Sequence, residues 1–212
     1  MRRKPGTAVL AGGLLVAALA GCGGEVTESR LDPQAAARLR ELLSKEPPLP
    51  DGFTVRPEQA WRVPFGQGDR NCRAMLEPAG GLAPGAALTA QAAVSYRGDG
   101  LGEQAGVGLA RYAGEEAEAR LDDLADALES CREVRVSGGT DLRLEEFPVE
   151  DTGDEAVGAR LHGRLNGYPY ALDVVLSRVG DTLVSVVHTG MDEVDAGRTR
   201  KVVDAVISMT SA

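Results

Sequence analysis

The sequence predicts an α+β fold, an antiparallel β-sheet of about six strands with flanking helices. Three observations carry this. Residues 157–176 alternate apolar and polar on both sides of Asn166-Gly167, the strongest short signal for a hairpin closed by a two-residue turn. Other strand-like runs follow one another across short turns at Gly98-Asp99-Gly100 and Gly180-Asp181, and so read as antiparallel neighbours. Two stretches, 115–131 and 192–208, carry apolar residues at helical spacing, and each stripe needs a sheet to lie on.

In chain order, Arg2, Arg3 and Lys4 precede an apolar run from Ala8 to Ala20, the layout of a secretory signal. The run is shorter than the ~20 residues of a spanning helix. It ends in Leu19-Ala20-Gly21-Cys22, which resembles the lipobox of bacterial lipoproteins, where the cysteine thiol is diacylated and the chain is cut just before it. The expected organisation is a lipoprotein signal peptide over 1–21, a flexible linker over 22–31 and a sensor-like α+β domain over 32–212. Two acyl chains on Cys22 suffice for stable anchoring, where one is marginal.

The chain of 212 residues has a formal charge of −9, and loss of the three cations in residues 1–21 takes it to −12. Such a surface disfavours nucleic acid and has no attraction to anionic headgroups, so membrane attachment falls to the lipid on Cys22. The other two cysteines, Cys72 and Cys131, make an even count in an oxidising compartment, for which a disulfide is the default and two buried thiols the alternative. Two thiols do not make a four-cysteine zinc site, and His162 and His188 have no ligand-like spacing to them; no metal or cofactor is expected.

Asp32-Pro33 reads as an N-cap with proline at the first helical position. Ala35, Ala36, Leu39, Leu42 and Leu43 continue the helix to Pro47-Pro48. Pro50 to Gly68, with Phe53, Trp61 and Phe65, is irregular. Arg70 to Leu76 makes one or two helical turns with Cys72, Met75 and Leu76 inward. Leu88, Ala90, Ala92, Val94 and Tyr96 alternate with polar residues as one face of a strand, and Gln104 to Tyr112 returns as its partner. In the next helix Ala117, Leu121, Leu124, Leu128 and Cys131 share a stripe, and Glu115, Glu116 and Glu118 suit the dipole at its start. A strand from Leu142 ends at Pro148. The Asn166-Gly167 turn sets a register: Leu165 faces Tyr168, Leu161 faces Leu172, Val157 faces Leu176, and on the other side Arg160 faces Asp173. Thr182 to Thr189 is apolar on both faces, as in a central strand.

The lipobox, the stretch Leu49-Pro50-Asp51-Gly52-Phe53, the strand pair running into Arg111-Tyr112-Ala113, the acidic helix ending in Cys131 and the terminal hairpins resemble an actinobacterial family. It is the sensor-domain family typified by the extracellular domain of a mycobacterial receptor Ser/Thr kinase and by lipoproteins carrying that domain. The resemblance spans roughly residues 35–210. It implies an antiparallel sheet with flanking helices around a cleft that receives an extracellular ligand, an architecture similar to Mog1/PsbP-like folds. It also implies a Cys72–Cys131 bridge; the second bridge of the kinase domain has no cysteines here. No kinase or membrane-spanning segment is present either, so any signalling would have to pass through a partner.

Catalytic motifs are missing: there is no G-x-S-x-G, no H-E-x-x-H and no phosphate-binding glycine loop. Gly106 and Gly108 read as close-packing glycines within a strand. The candidate ligand-binding residues are Arg160, His162 and Arg164, an anion-receiving face of the hairpin or else an ordinary solvated one, and Trp61, which lines a cleft or closes the core. The acidic run from Glu115 to Asp126 reads as a solvated helix face. The expected function is a non-catalytic, membrane-anchored sensor or binding domain on the extracytoplasmic face. Its ligand is a small molecule, lipid or cell-wall fragment, or a membrane protein. An accessory envelope lipoprotein acting through protein contacts is the alternative. A clustered acid, base and nucleophile would instead indicate a hydrolase.

Overall fold

The computed structural model describes residues 31–45, 48–66, 70–149 and 152–211; the signal segment, Cys22 and most of the linker lie outside the described residues. Helix α1 (Pro33–Ser44) and the single turn α2 (Arg70–Ala74) precede strands β1 (Leu88–Arg97) and β2 (Gln104–Tyr112). Helix α3 (Glu116–Ser130), strands β3 (Glu133–Val136), β4 (Thr140–Glu146), β5 (Glu155–Leu165), β6 (Tyr168–Val179) and β7 (Thr182–Gly190), and helix α4 (Ala196–Thr210) complete the chain. The strands form one antiparallel seven-stranded sheet in the order β1-β2-β7-β6-β5-β4-β3.

The β5–β6 hairpin has the register its turn dictates. Leu165 pairs with Tyr168, Leu161 with Leu172, Val157 with Leu176 and Arg160 with Asp173. Asn166 at φ 53° and Gly167 at φ 84° are both left-handed, as a type I′ turn requires. β7 lies between β2 and β6, and all nine of its residues are buried, which explains its two apolar faces. One face of the sheet packs α2, α3 and Trp61 onto Leu161, Leu172 and Val187. The other packs α4 and Leu43 of α1 onto Val107, Val175 and Val186.

The sheet is the expected antiparallel one; it has seven strands where the sequence predicts about six, because β3 is only four residues long, too short to show a period, and its exposed Glu133 and Arg135 hide the buried Val134. Two expectations are corrected. α4 starts at Ala196, not 192: Asp195 caps it by accepting from the Arg198 backbone N–H at 2.7 Å, which leaves 191–194 as a connection. Leu88 does not share a face with Ala90 and Tyr96. A register shift between Leu88 and Ala90 turns Leu88 to the α3 side.

α1 begins where the Asp32 backbone N–H donates to Thr89 at 2.6 Å and ends where the buried Tyr96 hydroxyl donates to Leu43 O at 2.8 Å, so it lies along β1. The 50–66 segment bridges the β1 edge through Glu58 and Ser95, sending Phe53 to the α4 face and Trp61 to the α3 face. Gly106 and Gly108 are close-packing glycines: a Cβ on Gly106 would lie 2.5 Å from the Trp61 Cβ, and one on Gly108 would collide with the Pro78 carbonyl oxygen. Cys72 and Cys131 are joined, with 4.9 Å between their Cα atoms, tying α2 to the end of α3.

Candidate functional site

The four sequence-nominated ligand residues are not brought together. Arg160, His162 and Arg164 share the α4 face of β5, whereas Trp61 is buried on the opposite face. Each side chain already has a neighbour: Arg160 pairs with Asp173, His162 Nε2 lies 2.9 Å from Glu145, and Arg164 donates to Gly167 O at 2.8 Å. Trp61 backs a groove of about 500 Å³ lined by Val63, Leu82, Arg62, Arg73 and Glu77, in which Arg73 and Glu77 pair with each other at 2.7 Å. In the acidic helix, Arg120 meets Glu116 and Asp123, and among the described residues no metal-binding cluster is present.

Arg160 instead opens a buried polar chain. Its Nε donates to Asp173 Oδ1 at 2.6 Å and a terminal nitrogen donates to Oδ2 at 2.9 Å, a bidentate pair around a carboxylate with no exposed surface. The bond from Asp173 raises the Arg160 pKa further. Thr199 of α4 donates to Asp173 Oδ2 at 2.7 Å, and its Oγ1 lies 2.9 Å from His188 Nδ1. His188 Nε2 lies 3.0 Å from Glu103 Oε1. Arg198 closes the series, with Nε 2.7 Å from Glu103 Oε1 and a terminal nitrogen 3.2 Å from Asp99, its guanidinium 4.8 Å from the Phe53 ring centroid.

The fold forces this assembly. Asp173 and His188 are register partners on β6 and β7, and α4 crosses above them with Thr199 facing down. The β1–β2 turn folds over the end of β7, pinned by Thr189 donating to Gly102 O at 3.1 Å and by the Met191 N–H donating to Leu101 O at 3.0 Å. A cleft of about 240 Å³ lies between that turn and the start of α4, lined by Leu101, Glu103, His188, Met191, Glu193 and Arg198.

Burial lowers the His188 pKa from its ordinary 6.5, opposed by Glu103 and aided by Arg198. Burial pushes Glu103 upward, but the Gly100 N–H, His188 and Arg198 outweigh it and hold the carboxyl below its ordinary 4.5. Carboxylate, imidazole and hydroxyl stand in the order of a hydrolase triad. Thr199, however, is 1% exposed and its proton is engaged by Asp173, so the arrangement presents no accessible nucleophile. What it does is hold α4, the central strands and the β1–β2 turn in one charged unit beneath a cleft. Sequence reasoning found Arg160 and Asp173 but missed Glu103, His188, Arg198 and Thr199. The available signal was one ionisable residue inside each of two apolar strands, Asp173 in 171–176 and His188 in 183–189.

A helix-flanked antiparallel sheet with a cleft at one end of its central strands is the class this geometry defines. No family model and no curated protein matches the chain. Among solved structures the fold is similar to the extracellular domain of PknH from Mycobacterium tuberculosis, with 16% sequence identity, coverage of 86% of this chain and 97% of that one, and a TM-score of 0.52. A second structure, the Rv0999 ortholog from Mycobacterium smegmatis, gives 16% identity over 86% and 98% of the two chains with a TM-score of 0.45. The fold expected from the sequence is therefore one that an extracellular domain also uses. Among the described residues no helix is long and apolar enough to cross a membrane.

Proposed function

We propose that the protein is an extracytoplasmic lipoprotein, anchored through acyl chains on Cys22, whose domain binds a small ligand without catalysing a reaction on it. The observation that carries the reading is the cleft beside Glu103, His188 and Arg198, where partly buried charge meets an apolar rim of Leu101 and Met191. A few convergent polar groups at a concave apolar surface are what small-ligand sites are made of. Its roughly 240 Å³ is smaller than the ~300–1,000 Å³ of sites for drug-sized molecules, so the ligand is a small amphiphilic metabolite or cell-wall fragment. The lipobox-like Leu19-Ala20-Gly21-Cys22, the paired cysteines and the likeness of the fold to an extracellular domain support the location.

Native mass spectrometry of the chain purified from its host tests the binding. A co-purifying small mass is expected that disappears in Leu101→Trp, which fills the cleft, and persists in Leu82→Trp, which fills the Trp61 groove. Absence of any bound mass, or its loss in Leu82→Trp alone, overturns the cleft as the site. For the anchor, palmitate labelling that survives in Cys22→Ser overturns lipidation at that residue.

A further inference from the structure

The chain from Glu103 to Asp173 contains a proton deficit. Three contacts in line, Glu103 to His188 at 3.0 Å, His188 to Thr199 at 2.9 Å and Thr199 to Asp173 at 2.7 Å, each need one hydrogen. Thr199 brings one and a neutral imidazole brings one. The Thr199 hydroxyl has two acceptors, Asp173 Oδ2 at 2.7 Å and Asp195 O at 3.2 Å, and the shorter bond goes to the carboxylate; either way its proton points away from the ring, so Nδ1 must donate to Thr199. A neutral ring then turns a bare Nε2 lone pair toward the Glu103 carboxylate. A second proton on the ring completes the series.

We propose that His188 and Glu103 form a proton-operated latch on the 98–103 turn. With both ring nitrogens protonated, His188 holds Glu103 against the end of β7. With one, it releases the carboxylate to Arg198, the Gly100 N–H loses its bond to Glu103 Oε2, and the turn loosens over the mouth of the cleft. The ring itself stays in place, on a central strand, with the Phe53 ring centroid 5.6 Å away and Thr199 above it. The charged groups around it are Glu103 and Asp99 on the turn, Arg198 and the capping Asp195 at the start of α4, Glu193 in the connection before it, Asp173 on β6 and, through Asp173, Arg160 on β5. Of these only Glu103 touches Nε2. Because coupling is reciprocal, a carboxylate that raises proton affinity about tenfold is itself held about tenfold more firmly once the proton is on.

The latch is read in the free protein and stands apart from the ligand reading. Histidine carbon resonances of the full chain, followed from about pH 8 to 5, report the ring, and His162→Gln leaves His188 as the sole imidazole. Amide exchange at Gly100 and Met191, corrected for its intrinsic pH dependence, reports the turn. The expected result is titration of His188 below 6.5 and protection at both amides rising about tenfold at the same midpoint. In Glu103→Gln the midpoint falls by about one pH unit and the protection step vanishes. Protection that ignores the His188 titration, or a step of unchanged size in Glu103→Gln, overturns the latch. The wild-type titration needs no variant at the latch, and near-UV circular dichroism confirms that Glu103→Gln is folded.

Discussion

Asp173 shows how little of a residue's role its sequence position reveals. Cross-strand spacing places Arg160 opposite it, and the bidentate pair is there, but the carboxylate sits in the core under α4 and not on a solvated face. Removing one member of such a pair strands the other charge. Asp173→Asn is expected to destabilise the domain by about 3 kcal/mol, measured by urea denaturation. Arg111→Ala, which breaks an ion pair with Asp181 on partly exposed side chains, is expected to cost under about 1 kcal/mol. Equal losses for the two variants would remove the buried chain from the account of stability. Arg160 and Asp173 were legible because they lie thirteen residues apart across one tight turn. Glu103 and His188 were not, because 85 residues separate them and only the finished sheet brings β2 beside β7.

At the scale of elements, legibility followed length and turn chemistry. The β5–β6 hairpin was readable to the residue because Asn166-Gly167 admits one loop and alternation over ten residues admits one face. β3 was invisible because four residues carry no period, and Leu88 was misplaced because a bulge resets the alternation. The glycines of β2 were read as close-packing from their place within a strand, and the structure supplies the reason: the 3-10 turn Glu77–Gly80 and Trp61 lie directly on it. Gly108→Ala would drive a methyl group into the Pro78 carbonyl, a backbone atom with no rotamer to escape to. A loss of about 3 kcal/mol is expected, together with increased amide exchange at Ala79 and Gly81. Gly167→Ala, where a Cβ meets open space but φ stays positive, is expected to cost about 1 kcal/mol. Reversal of that order would mean that the turn, not the packing over β2, limits the fold.

For the whole molecule, two long-range constraints act together. The Cys72–Cys131 bridge closes a loop of 59 residues, worth about 4 kcal/mol in the chain-entropy model, so Cys72→Ser should lower the melting temperature by about 10 °C. An unchanged melting curve under non-reducing conditions would show that the bridge does not restrain the unfolded chain. The buried charges set the response to pH. Because His188 is held below 6.5 in the folded state, the unfolded chain takes up that proton first as pH falls, so its stabilising contribution is present above about 6.5 and is lost toward the folded value. Glu103, held below 4.5, contributes stability present above that value and lost on further acidification. The melting temperature should therefore fall in two legs, an upper one below about pH 6.5 that His188→Asn flattens and a lower one below about pH 4.5 that Glu103→Gln flattens. This global loss does not contradict a local latch that tightens with acid. Burial sets the first, since His188 is dry in the fold and wet outside it, while Glu103 sets the second, since the ring stays buried whether or not the carboxylate is bound. A melting curve flat from pH 7 to 5 would mean that His188 meets water in the native protein, and the burial on which both signs depend would be wrong.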